Sequence, residues 1–291
     1  MNGLITAKSG YGSIKAQKII YSGIAMAFFT VLCILVIFPF LIFLVGSFRP
    51  GQDLLRNGLS LGIDFERMSF NNYVFLFTGQ HQYFRWFFNS VVLVVVQVSL
   101  TLLVCYTVAY GLAMYHFKLR TFLFFLVIAT MMVPFEILML PLYVEIINLR
   151  LVNTLAGVVL PGLCAAGTIF FFRQYMIGLP RDLLDAGRID GANEYRICFT
   201  IMLPLTKPAF AAMGILAAMG SWNNMLWPLL VYRDQNKFTL PIGLNTLLTP
   251  YGNDYDLLIA GSVFSIVPIV ILFFLFQKYF VQGMTVGAVK G

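Results

Sequence analysis

The apolar residues of this chain fall in long unbroken blocks, not in the alternation of a half-buried strand or the stripe of a soluble helix. Six blocks reach the ~20 helical residues needed to cross a bilayer. The first runs from Ile19 to Phe48 without a charge, and the second from Trp86 to Tyr115. The third runs from Thr121 to about Tyr143 and is interrupted by Glu136. The fourth is Leu151 to Phe172, the fifth Pro208 to Tyr232 and the sixth Leu257 to Gln277. Blocks above 20 residues imply tilt, or helix extending past the hydrocarbon. The pattern predicts an all-α integral membrane protein with six transmembrane helices. Residues 1–18 form an N-terminal segment, 19–283 the six-span domain and 284–291 a C-terminal tail. A signal peptide is the other reading of the first block, with Lys8, Lys15 and Lys18 as its basic region. The apolar run is about twice the usual length and no small-residue cleavage site follows promptly, so it reads as a retained helix.

Composition agrees. Of 291 residues, 60% are hydrophobic and 11% charged, against about a quarter charged in soluble domains. A soluble globule could not bury that much apolar surface and still coat itself with polar groups. The net charge of +7 belongs to loops facing the cytoplasm rather than to nucleic-acid binding. With the N-terminus inside, inner segments carry twelve Lys and Arg and outer segments seven. That bias predicts both termini in the cytoplasm. Cys33, Cys105 and Cys164 lie in apolar runs, and Cys198 stands in a polar loop. Their spacing suggests neither a metal site nor a disulfide framework.

Two connectors are too long to be plain loops: the outer one from Arg49 to Arg85 and the inner one from Arg173 to Lys207. The inner loop holds five basic and four acidic residues. Pro180 suits a first helical turn, and Asp182 favours its positive end. Leu183, Leu184, Ala186 and Ile189 make a short apolar stripe, and Asp190-Gly191 is a turn signal. Ile197, Phe199, Met202 and Leu203 make a second stripe, after which Pro204 and Pro208 break the chain. Two short helices with a sharp turn follow from this, lying at the inner face. An amphipathic interfacial loop without a partner is the alternative.

The spacing in this loop resembles the EAA motif of ABC-importer permeases, the cytoplasmic loop that docks on the ATPase. The family pattern is Glu-Ala-Ala, two variable residues, Asp-Gly-Ala and a later Leu-Pro. Those places hold Asp185, Ala186, Gly187, Asp190, Gly191, Ala192, Leu203 and Pro204. Asp185 keeps the carboxylate on a shorter stem, and Gly187 weakens the helix by up to about 1 kcal/mol. Further stretches resemble the carbohydrate subgroup: Met131 to Pro134, Leu140 to Tyr143, Asn153-Thr-Leu, Leu160-Pro161, Trp222 to Pro228, and the tail from Gly283 to Gly291. Asp53 to Arg56, Met68-Ser-Phe, Phe87 to Ser90 and Pro250 to Asp256 are similar to arabino-oligosaccharide permeases of Gram-positive bacteria.

The resemblance implies a maltose-type, type I ABC importer fold with a coupling loop over 177–207. It further implies a heterodimer with a sister six-span permease, two cytoplasmic ATPase subunits, an external sugar-binding protein and a location in the plasma membrane. ATP and Mg would be used by the ATPase, and no cofactor or metal is expected in this chain. No Walker A sequence, His-Glu-x-x-His pair or Gly-x-Ser-x-Gly elbow occurs, so no catalytic residue is assigned. An ion-coupled secondary transporter is the rival, since such proteins use intramembrane ionisable groups and broken helices.

Four residues are candidates for the substrate path. Glu136 is a charge at bilayer depth, which is costly unless it faces a cavity or partner. Its alternative role is to bond backbone freed by Pro134 and Pro141. Asn223 and Asn224, beside Trp222, offer the amides and aromatic faces that hold sugars. Trp222 and Trp227 could instead belong to an interfacial aromatic belt.

Overall fold

The computed structural model describes residues 6–51, 68–78, 82–249 and 252–285. The ends of the terminal segments (1–5 and 286–291) and the 53–56 stretch lie outside the described residues. In chain order the helices are α1 (Thr6–Gly46), α2 (Asn71–Thr78), α3 (Tyr83–Met114), α4 (Arg120–Met131) and α5 (Phe135–Asn148). They continue with α6 (Leu155–Gly162), α7 (Ala166–Ile177), α8 (Asp182–Ile189) and α9 (Glu194–Leu205). The last are α10 (Lys207–Trp222), α11 (Leu226–Val231), α12 (Leu240–Thr246) and α13 (Tyr255–Thr285). Among the described residues the strands are a two-residue antiparallel pair, with Leu248 opposite Asn253 and Thr249 opposite Gly252.

Three helices are long and apolar enough to cross a bilayer unaided: Lys18–Gly46 within α1, all of α3, and Tyr255–Lys278 within α13. Three further bent pairs bring the number to as many as six if each pair is one span: α4 with α5 (103°), α6 with α7 (48°) and α9 with α10 (78°). The third apolar block is therefore not one straight helix. Pro134, at φ −59° and ψ 135°, forms the N-cap of α5. A proline supplies no N–H and disfavours helix in the residue before it, so α4 stops at Met131 and the chain restarts in a new direction.

The chain divides into two compact units. The first comprises residues 1–75 and 254–263. No residue of the apolar window of α1 is buried, as suits a helix whose solvent is lipid. The turn after α1 is knit by polar contacts. Ser47 Oγ lies 2.7 Å from Tyr73 Oη, and Asn72 Nδ2 donates to the carbonyls of Ser47 and Arg49. The Gly51 N–H donates to the Asp256 carboxylate.

The second unit comprises residues 76–253 and 264–291. Its axis is α3, which packs against α7 and α10. One core cluster surrounds Tyr106, whose ring lies 4.9 Å from Phe210 and 5.8 Å, edge-on, from Phe172. Leu184, Ile197, Cys198 and Met202 of the charged loop enter the same cluster. Cys198 is thus a core residue, although its sequence neighbours had suggested a polar loop. The second cluster joins Leu93, Ile146, Val158, Trp227, Val231 and Ile242. Asn153 locks the loop beside it at φ 60°. Its N–H donates to the Val231 carbonyl, and its own carbonyl accepts from Lys237 Nζ at 2.7 Å.

Candidate functional site

The motif residues of the charged loop are arranged by helix-end chemistry. α8 opens with Asp182 and Asp185 in its first turn and closes with Arg188 in its last, so side-chain charges oppose the helix dipole at both ends. Leu184 and Gly187 form its buried face. A Cβ on Gly187 would stand 2.8 Å from Ile201 Cδ1 and 3.3 Å from Ile197 Cγ1. The departure from alanine at this place lets α8 lie directly on α9.

The next residues stop one helix and start another. The Gly191 N–H donates to the Arg188 carbonyl and the Ala192 N–H to the Gly187 carbonyl, both at 3.0 Å. These two bonds make a Schellman stop, which needs a left-handed residue just past the helix. Gly191 has φ +76°. Asn193 then caps α9, its Oδ1 accepting from the Arg196 N–H at 2.8 Å. Asp190, Gly191 and Ala192 are therefore the C-cap and the two residues beyond it.

Within α9, Ile197–Met202 form a π-helical turn. The wider turn accommodates Pro204, which cannot supply the next backbone donor. Leu203 is half-buried and Pro204 exposed. Thr206 Oγ1 donates to the Leu203 carbonyl at 2.9 Å where α9 turns into α10. Pro208 occupies the first turn of α10, where its missing N–H costs nothing.

The sequence did not reveal how this loop is gripped. Tyr106 Oη, buried on α3, donates to the Cys198 carbonyl at 2.8 Å. Tyr115 Oη, one residue past α3, donates to Glu194 Oε2 at 2.6 Å. Arg188 Nε donates to Glu194 Oε1 at 2.8 Å, while its Nη1 reaches Asp185 Oδ1 at 3.1 Å. The Asp185 carboxylate therefore already has a cationic partner in this chain. The Arg188 hydrogen bond, and then that of Tyr115, hold the Glu194 carboxyl below its ordinary value. Burial, and then the Glu194 bond, push the Tyr115 hydroxyl up to about 12. A hydroxyl inside an apolar run needs a partner, and that is the signal that could have singled out these tyrosines. Two large apolar side chains flank the turn in the open: Ile189, 87% exposed, and Tyr195, 80% exposed. Asp185, Ala186 and Asp190 are exposed beside them.

The candidate path residues sit at two helix breaks. Glu136 is exposed in the first turn of α5. Its side chain makes no hydrogen bond among the described residues, so the backbone-bonding role is not seen. Asn223 caps α10, with its Nδ2 donating to the Met219 carbonyl at 3.0 Å. Asn223 is exposed and Asn224 half-buried in the gap before α11. Trp222 is only 7% exposed and meets Phe87 edge-on at 5.5 Å, so its ring packs inside this chain and is not laid open to a ligand. Trp227 is 2% exposed and donates to the Val158 carbonyl at 3.1 Å, which makes it a core residue and not part of an interfacial belt. Its ring also meets Phe135 edge-on at 5.9 Å, linking the α10–α11 break to the residue beside Glu136.

Residues 105–286 match the family described as the binding-protein-dependent transport system inner membrane component. The arabinooligosaccharides transport system permease protein AraQ of Bacillus subtilis is 54% identical, over 91% of this chain and 94% of its own. That of Halalkalibacterium halodurans is also 54% identical, over 90% of this chain and 94% of its own. A solved bacterial ABC transporter involved in the import of the acidic polysaccharide alginate superposes with a TM-score of 0.79. It covers 91% of this chain and 98% of its own at 22% identity, a likeness of fold. The chain is thus a multi-pass membrane protein and a transport component, not an enzyme, and it belongs to the family of binding-protein-dependent inner membrane components, the permeases of ABC importers.

Proposed function

We propose that this chain is one permease of an importer for arabino-oligosaccharides. The observation that carries this reading is the 54% identity to AraQ permeases across nine-tenths of the chain. The chain crosses the membrane six times with both termini in the cytoplasm, each bent helix pair serving as one span. It pairs with a sister six-span permease, two ATPase subunits that use ATP and Mg, and an external sugar-binding protein.

In this reading loop 177–207 is the mechanical coupling. Asp185 to Ala192 and the exposed Ile189 and Tyr195 dock on the ATPase, while Leu203 and Pro204 carry its displacement into α10. The rigid Schellman turn and the two tyrosine grips support that role. A loop fixed to α3 at Cys198 and Glu194 cannot shift without moving the helices. α10 ends at Asn223 and Asn224, so motion of the loop changes the gap at the helix break. Broken helices expose backbone and amide groups at membrane depth, where transported solutes are held. Asn223, Asn224 and Glu136 line the route, and Trp222 supports them from behind.

The test is ATP-driven uptake of labelled arabinotriose into proteoliposomes holding the complete importer, with lactose as competitor. Uptake that arabinotriose saturates and lactose leaves unchanged is expected. Uptake of lactose with none of arabinotriose would overturn the sugar assignment. Cysteine labelling at Lys118 and Arg188 from outside intact cells would overturn the orientation.

A further inference from the structure

Four cationic side chains and one imidazole gather around the C-terminal end of α3. Arg120 donates from Nε to the Leu112 carbonyl at 2.8 Å and from Nη2 to the Ala113 carbonyl at 3.1 Å. Arg173 Nε reaches the same Leu112 carbonyl at 3.3 Å, and its guanidinium carbon lies 3.6 Å from the centre of the Phe124 ring. Arg181 Nη1 lies 2.7 Å from His116 Nε2. Arg120 Nη1 lies 3.1 Å from His116 Nδ1. Lys118 is exposed on the same short connector. None of the described carboxylates forms an ion pair with any of these groups.

His116 exposes the imbalance. Both ring nitrogens face guanidinium donors, yet a neutral imidazole has one acceptor nitrogen and a protonated one has none. At least one arginine N–H therefore points at a group that cannot accept it. The α3 carbonyls are already taken by Arg120 and Arg173. An anion is what such a set of donors lacks, and planar guanidinium forks suit phosphate oxygens.

The position selects the kind of anion. Arg120 is the first residue of α4, and no residue of α4 is buried. Phe122, Phe125 and Leu126 lie open along it. A charged headgroup at the arginines would thus have its acyl chains against a bare apolar helix. We propose that His116, Lys118, Arg120, Arg173 and Arg181 form a binding site for the phosphate of an anionic phospholipid, in the leaflet on the charged-loop side. Basic pockets at this level between membrane helices suit such headgroups.

The site is tested on the complete importer by native mass spectrometry from nanodiscs mixing phosphatidylglycerol with phosphatidylcholine. Wild type should retain phosphatidylglycerol preferentially. Arg181→Gln, whose side chain bonds only His116 among the described residues, should lower that preference about fivefold. The Arg173→Gln, Arg181→Gln pair should nearly abolish it, and Arg181→Lys should keep most of it. Equal retention of the two lipids by wild type would overturn the proposal. So would a preference that survives the double substitution, or displacement of the lipid by millimolar inorganic phosphate, which would mark a free-anion site. Loss of the ATPase from Arg181→Gln with lipid preference intact would reassign the cluster to a protein contact. The lipid readout does not use sugar, so it stands or falls separately from the transport assignment.

Discussion

Replacing Gly191 with valine isolates the backbone demand of the turn. The residue sits at φ +76°, and a Cβ built on it meets nothing within 4 Å. The cost is therefore conformational and not a collision. Holding an L-residue in the left-handed region costs about 1–2 kcal/mol, and a β-branched side chain lies at the upper end. Valine should cost about 2 kcal/mol, alanine about 1, and asparagine less, because its short polar side chain tolerates this region. At 1.4 kcal/mol per factor of ten, 2 kcal/mol lowers the population of the native turn about thirtyfold relative to its alternatives. What is lost is the pair of 3.0 Å bonds from Gly191 and Ala192 to the end of α8. Gly191 belongs to neither core cluster, and most residues of both clusters come from the other helices, so insertion and pairing with the sister permease should persist. The assay is co-purification of the ATPase with the tagged chain, alongside ATP-driven uptake. Activity should fall in the order glycine, asparagine, alanine, valine. Wild-type behaviour of Gly191→Val would refute the argument. Equal damage from asparagine and valine would also refute it, because room for a side chain and not φ would then be limiting.

Three other outcomes follow from the geometry. Tyr106→Phe removes the buried hydroxyl bond to the Cys198 carbonyl and should destabilise the loop by about 1 kcal/mol, read as faster amide exchange over 197–203 with exchange in α13 unchanged. The loop's grip at Glu194 should be flat with pH between the ordinary carboxylate value of 4.5 and the ordinary tyrosine value of 10.0. Glu194 titrates lower when folded, so its contribution is full above 4.5 and lost on acidification; Tyr115 titrates higher, so its contribution is full below 10.0 and lost as pH rises towards about 12. Amide exchange of 194–196 against pH reads this, and a midpoint near neutrality would contradict it. Glu136→Gln should lower sugar uptake while leaving the assembled complex and its ATPase content intact; unchanged uptake would remove Glu136 from the route.

Much of this protein was fixed by local pattern. Apolar blocks above 20 residues cannot be buried in a chain of this size, so membrane residence follows from counting. Asp190-Gly191-Ala192 was legible because a helix stop with a left-handed residue is a local event and glycine is its cheapest solution. Tertiary structure decided what depends on neighbours distant in sequence. The 103° break at Met132–Pro134 was hidden because an apolar block looks the same whether its helix is straight or folded back. Trp222 and Trp227 read as surface aromatics from their polar neighbours, yet Phe87 and the Val158 carbonyl, far away in the chain, hold them inside. Gly187 looked like a weakened helix position until Ile201 was found where its side chain would be. The grips of Tyr106 and Tyr115 join residues 92 and 79 positions apart. Periodicity reports which face of a helix is apolar, but only packing determines which distant group meets it.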